Sequence, residues 1–233
     1  MVNLKGAAPE KFGAIKSFFY RLWAEPSIEP MHRRIASEVP IETGRLLDIG
    51  CGGGKVDRLI AAARPNVRVV GLDSSEAMLR SARKRSSAPN LEFRLGTIEG
   101  SLFSGEFDLA LSVLSFHHWE EPVEGLAAAR RALAPGGRLW IYEMDPEAPV
   151  EAIRRDRGAV WGFFRMPVRM QRAMARDHGF TAEEAERLVR PVAEKSGFED
   201  FRVGRTGSTL RMELANVASG DLTPNVASGD LTP

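Results

Sequence analysis

A short strand at residues 45–49, RLLDI, ends in the turn Asp48-Ile49-Gly50-Cys51-Gly52-Gly53-Gly54, and a helical pattern resumes at Lys55. A strand, a glycine-rich turn and a helix in immediate succession constrain this chain more than any other feature. Alternating glycines let the main chain take dihedrals closed to other residues, and let a ligand approach the backbone itself. The free amides at the start of the following helix favour an anionic or electron-rich group. The segment therefore reads as a binding turn at the end of a sheet strand.

The rest of the chain supplies the sheet. Residues 67–72 form a β-branched run that stops at Asp73, and 75–85 read as a helix capped by Ser74 or Ser75, with Glu76 in its first turn. Strands are predicted at 91–95 and at 107–114, the latter apolar throughout after Asp108, as in a strand covered on both faces. Pro122 opens a helix, and Pro135-Gly136-Gly137 turns the chain into a strand at 138–143. After a break at 146–180, Thr181 and Glu184 form a capping box for a helix at 181–196, and strands at 198–203 and 209–214 close the domain as a hairpin. Strand and helix alternating in this way predict an α/β fold: a doubly wound, mostly parallel, seven-stranded sheet with ligands at its carboxyl edge. Residues 146–180 then form a helical insertion or lid. An amphipathic helix at 12–23, built on Phe12, Ile15, Phe19 and Leu22, joins a short one at 31–39 in an amino-terminal cap over 1–40, leaving 41–215 for the main domain. The nine residues at 216–224 are repeated unchanged at 225–233. This polar duplication is expected to be a flexible tail.

Two nucleotide readings of the glycine turn fail on single residues. A phosphate-gripping loop needs Ser or Thr after Gly-Lys, but Gly54-Lys55 is followed by Val56. A dinucleotide fingerprint needs a small residue where Lys55 stands. The turn instead resembles the first motif of the class I S-adenosylmethionine-dependent methyltransferases, an acidic residue followed by G-x-G-x-G, here Asp48, Gly50, Gly52 and Gly54. The resemblance runs on through Gly71-Leu72-Asp73, Gly96-Thr97-Ile98-Glu99, Phe107-Asp108 and the Leu133-to-Leu139 turn. It implies S-adenosylmethionine as cofactor, held by Asp48, Gly50, Cys51, Gly52, Gly54, Asp73, Ser74, Thr97, Ile98 and Ser115. Asp73 would take the ribose hydroxyls, as a carboxylate can accept from two at once. The family often has Asp where this chain has Thr97, so adenine would be met there by a neutral hydroxyl or a nearby backbone group.

Ser115-Phe116-His117-His118-Trp119 follows the fourth strand and resembles the small-molecule branch of the family, near the ubiquinone/menaquinone-type enzymes. His117 and His118 are the catalytic candidates, since an imidazole accepts a proton near neutral pH. Adjacent residues point apart, so one of the two is expected to face the substrate. Cys51, the only cysteine, belongs to the cofactor turn and not to nucleophilic chemistry, and no metal site is predicted.

The acceptor pocket is expected in the insertion, where Trp161, Phe163, Phe164, Met166, Met170 and Met174 accompany Arg residues such as Arg154 and Arg155. The same apolar stripe offers a face for a homodimer. The acceptor is expected to be a small, partly apolar molecule methylated on O, N or C. An RNA or protein methyltransferase, or a non-catalytic partner protein of the same fold, are the alternatives. The formal net charge of +1 gives no pull towards nucleic acid or an anionic membrane. With no secretory leader or membrane-spanning run in the sequence, the cytoplasm is the expected compartment.

Overall fold

In the computed structural model, which describes residues 27–158 and 167–215, strands follow in the order β1 (Gly44–Ile49), β2 (Val67–Asp73), β3 (Leu91–Leu95), β4 (Phe107–Val113), β5 (Leu133–Met144), β6 (Asp200–Thr206) and β7 (Thr209–Ala215). They make one seven-stranded sheet of order β3-β2-β1-β4-β5-β7-β6. Pairing is parallel from β3 to β5, and β7 runs antiparallel to β5 and β6. β1 lies in the interior of the sheet, between β2 and β4, because it is apolar on both faces. Leu46 joins a core beneath α1 (Glu29–Glu38) and α2 (Lys55–Ala63), while its neighbour Leu47 enters the core on the other side. α3 (Glu76–Lys84) and α4 (Pro122–Ala132) complete the crossovers. Strand order reverses between β1 and β4, so the crevice at their carboxyl ends is where such a sheet binds ligands.

The expected fold class is observed, with local differences. β5 starts at Leu133 rather than 138, because Leu133 already pairs with Phe107 before a bulge shifts the register to Leu109–Arg138. The helix expected over 181–196 has three parts: α7 (Ala182–Glu184) behind its capping box, a π-helical turn Ala185–Val189, and α8 (Arg190–Lys195). Pro191 lacks the N–H that would continue the regular ladder.

Of the insertion, α5 (Val150–Arg155) and α6 (Val168–His178) are helical as expected. Trp161, Phe163, Phe164 and Met166 lie outside the described residues, as do the helix expected at 12–23 and the duplicated tail. Met170 is 53% exposed, so the described part of the stripe does not pack inward there. The insertion is clasped to the rest of the protein through Asp156, which is buried. Its carboxylate takes Arg34 Nη2 from α1 at 2.9 Å, and the backbone N–H of Ser208 in the β6–β7 turn at 2.7 Å. No described helix is long and apolar enough to cross a membrane.

Candidate active site

The end of β1 is hooked to the end of β2 by main-chain bonds: the N–H groups of Gly50 and Cys51 both donate to Leu72 O, at 2.7 and 3.0 Å. Gly50 has φ of 79°, and a Cβ there would overlap Ser115 Oγ. The glycine is therefore required both by its dihedral and by the side chain laid against it. Ser115 reaches that place because Leu114, at φ 52°, is the only non-glycine residue in the left-handed region among the described residues. Such a conformation costs about 1–3 kcal/mol and is maintained only where the surroundings enforce it.

These segments surround a cavity of about 780 Å³. Asp48, Gly50, Cys51, Gly52, Asp73, Ser74, Thr97, Ile98 and Ser115 all line it, as does His118. Two expected residues do not. Gly54 lies outside the lining, at φ 68°, where a Cβ would run into the Phe93 ring: its role is to let α2 start close against β3. His117 also stands outside it and turns towards β5.

Asp73 is tied on both oxygens. Gly52 N–H donates to Oδ2 and Ser75 N–H to Oδ1, each at 2.8 Å. Each oxygen keeps a second lone pair for a ligand hydroxyl. Burial raises its pKa, and the two backbone amides pull it back. Thr97 Oγ1 accepts from Gly100 N–H at 3.3 Å, and Glu99 brings a carboxylate to the same rim.

Beneath the turn, Asp48 and Asp57 are both buried. As two carboxylates they would have nothing to donate, and Asp48 Oδ1 and both oxygens of Asp57 lack a partner. One proton shared by the pair supplies the missing donor. Burial, with Asp57 beside it, holds the Asp48 carboxyl well above the ordinary range, and burial pushes Asp57 up to about 7. Burial and the same acids keep the Cys51 thiol protonated, which agrees with its assignment away from nucleophilic chemistry. From α1, His32 lines the cavity with its Nδ1 unpartnered. Burial, with Lys55 nearby, lowers its pKa to about 4, so the ring is neutral.

The two candidate histidines sit in a 3-10 turn, Phe116–His118. Adjacent residues diverge in a strand, but here the ring centroids are 4.0 Å apart. His118 faces the cavity, whereas His117 Nδ1 lies 2.8 Å from Glu143 Oε2, and Glu143 Oε1 accepts the His117 backbone N–H at 3.1 Å. Glu143 ends the buried part of β5 with 0% exposure. His178, at the end of α6, brings a third ring 5.4 Å from that of His117.

Residues 47–141 match the family of the methyltransferase domain. That match spans less than half of the chain, and over it the chain is similar to methyltransferase domains. A ubiquinone biosynthesis O-methyltransferase of Roseobacter denitrificans is 37% identical over 108 residues, which cover 45% of this chain and 43% of the relative. A trans-aconitate 2-methyltransferase of Variovorax paradoxus is 34% identical over 139 residues, 58% of this chain and 52% of the relative. The chain thus spans about half the length of these curated relatives. A SAM-dependent methyltransferase from Aquifex aeolicus superposes with a TM-score of 0.61 at 18% identity, covering 88% of this chain and 98% of that one, a likeness of fold.

The residues of this site fit S-adenosylmethionine on their own geometry. A glycine cradle closed by Ser115, a ribose-competent carboxylate at Asp73 and unpartnered polar atoms on Asp48 and His32 converge on one cavity. Reading the sequence missed Asp57, His32, Glu99 and Glu143. Only Glu99 carried a signal, since it stands two residues beyond the adenine-side position Thr97.

Proposed function

We propose that this protein transfers a methyl group from S-adenosylmethionine to a small, partly apolar molecule. The observation that carries the reading is the cavity, which runs from the glycine turn and Asp73 to His118 without leaving the carboxyl edge. Asp73, with Ser74 beside it, would hold the ribose. Asp48, protonated and buried, would support the turn under the methionine moiety, and Thr97 with Ile98 and Glu99 would meet adenine. The Glu99 carboxylate would offer an exocyclic amine a charged acceptor, where Thr97 has only a neutral hydroxyl. Bound there, the cofactor supplies a sulfonium methyl group already activated for transfer. What remains for the chain is to orient the acceptor, keep bulk water out and take up a proton. His118 faces the cavity and His117 stands beside it, which supports their reading as the proton-handling pair. The names of the two relatives, one from ubiquinone biosynthesis and one acting on trans-aconitate, support a small-molecule acceptor.

Calorimetry tests the reading first. S-adenosylhomocysteine should bind one-to-one and NAD should not; the reverse result would sink it. Methyl-labelled S-adenosylmethionine incubated with fractionated metabolites should then label a small molecule, with label retained in RNA or protein fractions counting against the acceptor class.

A further inference from the structure

Glu143 is a fully buried carboxylate at the end of a central strand, and among the described residues no Lys or Arg forms an ion pair with it. A buried carboxylate is costly unless it is paired and hydrogen-bonded. Among the described residues both of its hydrogen bonds come from one residue: the backbone N–H of His117 to Oε1 and the imidazole Nδ1 to Oε2. The main-chain bond fixes the 3-10 turn, and the side-chain bond fixes the ring. An ionised Glu143 only accepts, so Nδ1 must carry the hydrogen, and in the neutral ring Nε2 is bare. Among the described residues, His118 on its own turn and His178 from α6 also set their rings against this one. His178 is delivered by a tight junction: Phe180 N–H donates to Met144 O at 3.0 Å, and Gly179 packs on the Met144 backbone too closely for a side chain. The insertion and β5 thus meet at this cluster, one ring away from the cofactor cavity.

We infer that Glu143 is a positioning residue that sets His117 as the proton acceptor of the methyl-transfer site, and hence that the acceptor molecule carries a removable proton, such as that of a hydroxyl, carboxyl or N–H group. This deepens the methyltransferase reading and rests on it. In the step, the acceptor's X–H bond breaks, its electron pair stays on X for the bond to the methyl group, and the proton goes to His117 Nε2. The imidazolium so formed is compensated by Glu143 and returns the proton to water after product leaves.

The test uses the whole chain, labelled with ¹⁵N, and reads the imidazole nitrogens of His117 at a pH where the ring is neutral. The expected state is protonated Nδ1 and bare Nε2, with or without S-adenosylhomocysteine. Glu143→Leu should move the proton to Nε2. Glu143→Gln, which retains an acceptor oxygen and guards against a folding defect, should keep it on Nδ1. Affinity for S-adenosylhomocysteine should stay within about threefold in all three proteins. On the acceptor found in the labelling experiment, His117→Gln and Glu143→Gln should each lower kcat about a hundredfold, a common size for a lost general base, with KM nearly unchanged. A protonated Nε2 in the parent protein, or an unchanged kcat in His117→Gln, overturns the proposal. Failure to bind S-adenosylhomocysteine at all would instead remove the methyltransferase reading and leave the tautomer result standing.

Discussion

At the β1 end of the crevice the main chain does most of the holding: Gly50 and Cys51 hook onto Leu72 O, and Gly52 onto Asp73. At the β4–β5 end, side chains do it, with Glu143, His117 and His178 meeting from three elements far apart in sequence. The first arrangement is local, so it tolerates few residue types and leaves a pattern in the sequence. The second depends on which strand lies beside which, and its members are scattered over sixty residues. A change in the first region should therefore act on cofactor binding, and a change in the second on turnover.

The largest effect that would separate them is expected at Gly50. Gly50→Ala forces an L-residue into φ 79° and drives a methyl group into Ser115 Oγ. The dihedral alone costs roughly 1–2 kcal/mol and the crowding about as much again, so affinity for S-adenosylhomocysteine should fall by upwards of thirtyfold. Adding Ser115→Ala should recover the crowding part but not the dihedral part. Full recovery in the double variant would show that the φ value is not what requires glycine.

Next comes Asp73. Were Asp73 only a ribose ligand, as the sequence suggests, Asp73→Ala would weaken ligand binding with little change in the melting temperature of the empty protein. The structure changes that expectation, because the carboxylate anchors the Gly52 and Ser75 amides before any ligand arrives. Hydrogen bonds to a charged group contribute roughly 1.5–3 kcal/mol each, so Asp73→Ala should lower both affinity and melting temperature. Asp73→Asn retains one acceptor oxygen and should separate the two, losing about tenfold in affinity with a smaller loss of stability. An affinity unchanged in both variants would move the ribose site elsewhere.

The same contrast explains what could be read beforehand. Asp48, Gly50, Gly52 and Asp73 announced themselves because a turn at a strand end needs those residue types at fixed spacing. Asp57 did not, since an acid in the first turn of a helix is ordinary, and only burial against Asp48 makes it unusual. Gly54 looked like part of the binding turn but answers to Phe93, a residue of another strand. The histidine pair was visible as a pair. Its division of labour was not, because it follows from the 3-10 turn and from Glu143 on a strand that becomes adjacent only through the sheet order.

A smaller, pH-dependent effect follows from the buried acids. Asp57 has its pKa pushed up to about 7 by burial, against 3.8 in the unfolded chain. A raised carboxyl pKa means that the folded state holds a proton the unfolded state has released. Stability should thus decline as pH rises from about 4 to about 7, and Asp48, also held well above the ordinary range, adds to the decline. Asp57→Asn cannot titrate and should flatten this part of the profile, measured by urea unfolding at several pH values. An unaltered slope would show that the shared proton belongs to other groups.

The smallest effect is expected where the sequence placed the acceptor lining. Met170 lies on α6 with 53% of its surface exposed, and Arg154 and Arg155 on α5 are exposed as well. A half-exposed methionine has few neighbours to lose, and surface substitutions usually change stability by less than about 0.5 kcal/mol. Met170→Ala should leave the melting temperature, S-adenosylhomocysteine affinity and turnover all within about twofold of the parent. His178, eight residues on along the same helix, should behave differently, because its ring packs beside His117. His178→Ala should alter turnover while sparing the cofactor. If Met170→Ala lowered turnover tenfold and His178→Ala did nothing, α6 would have to present its other end to the acceptor, and the site would lie over the helix start rather than at its junction with β5.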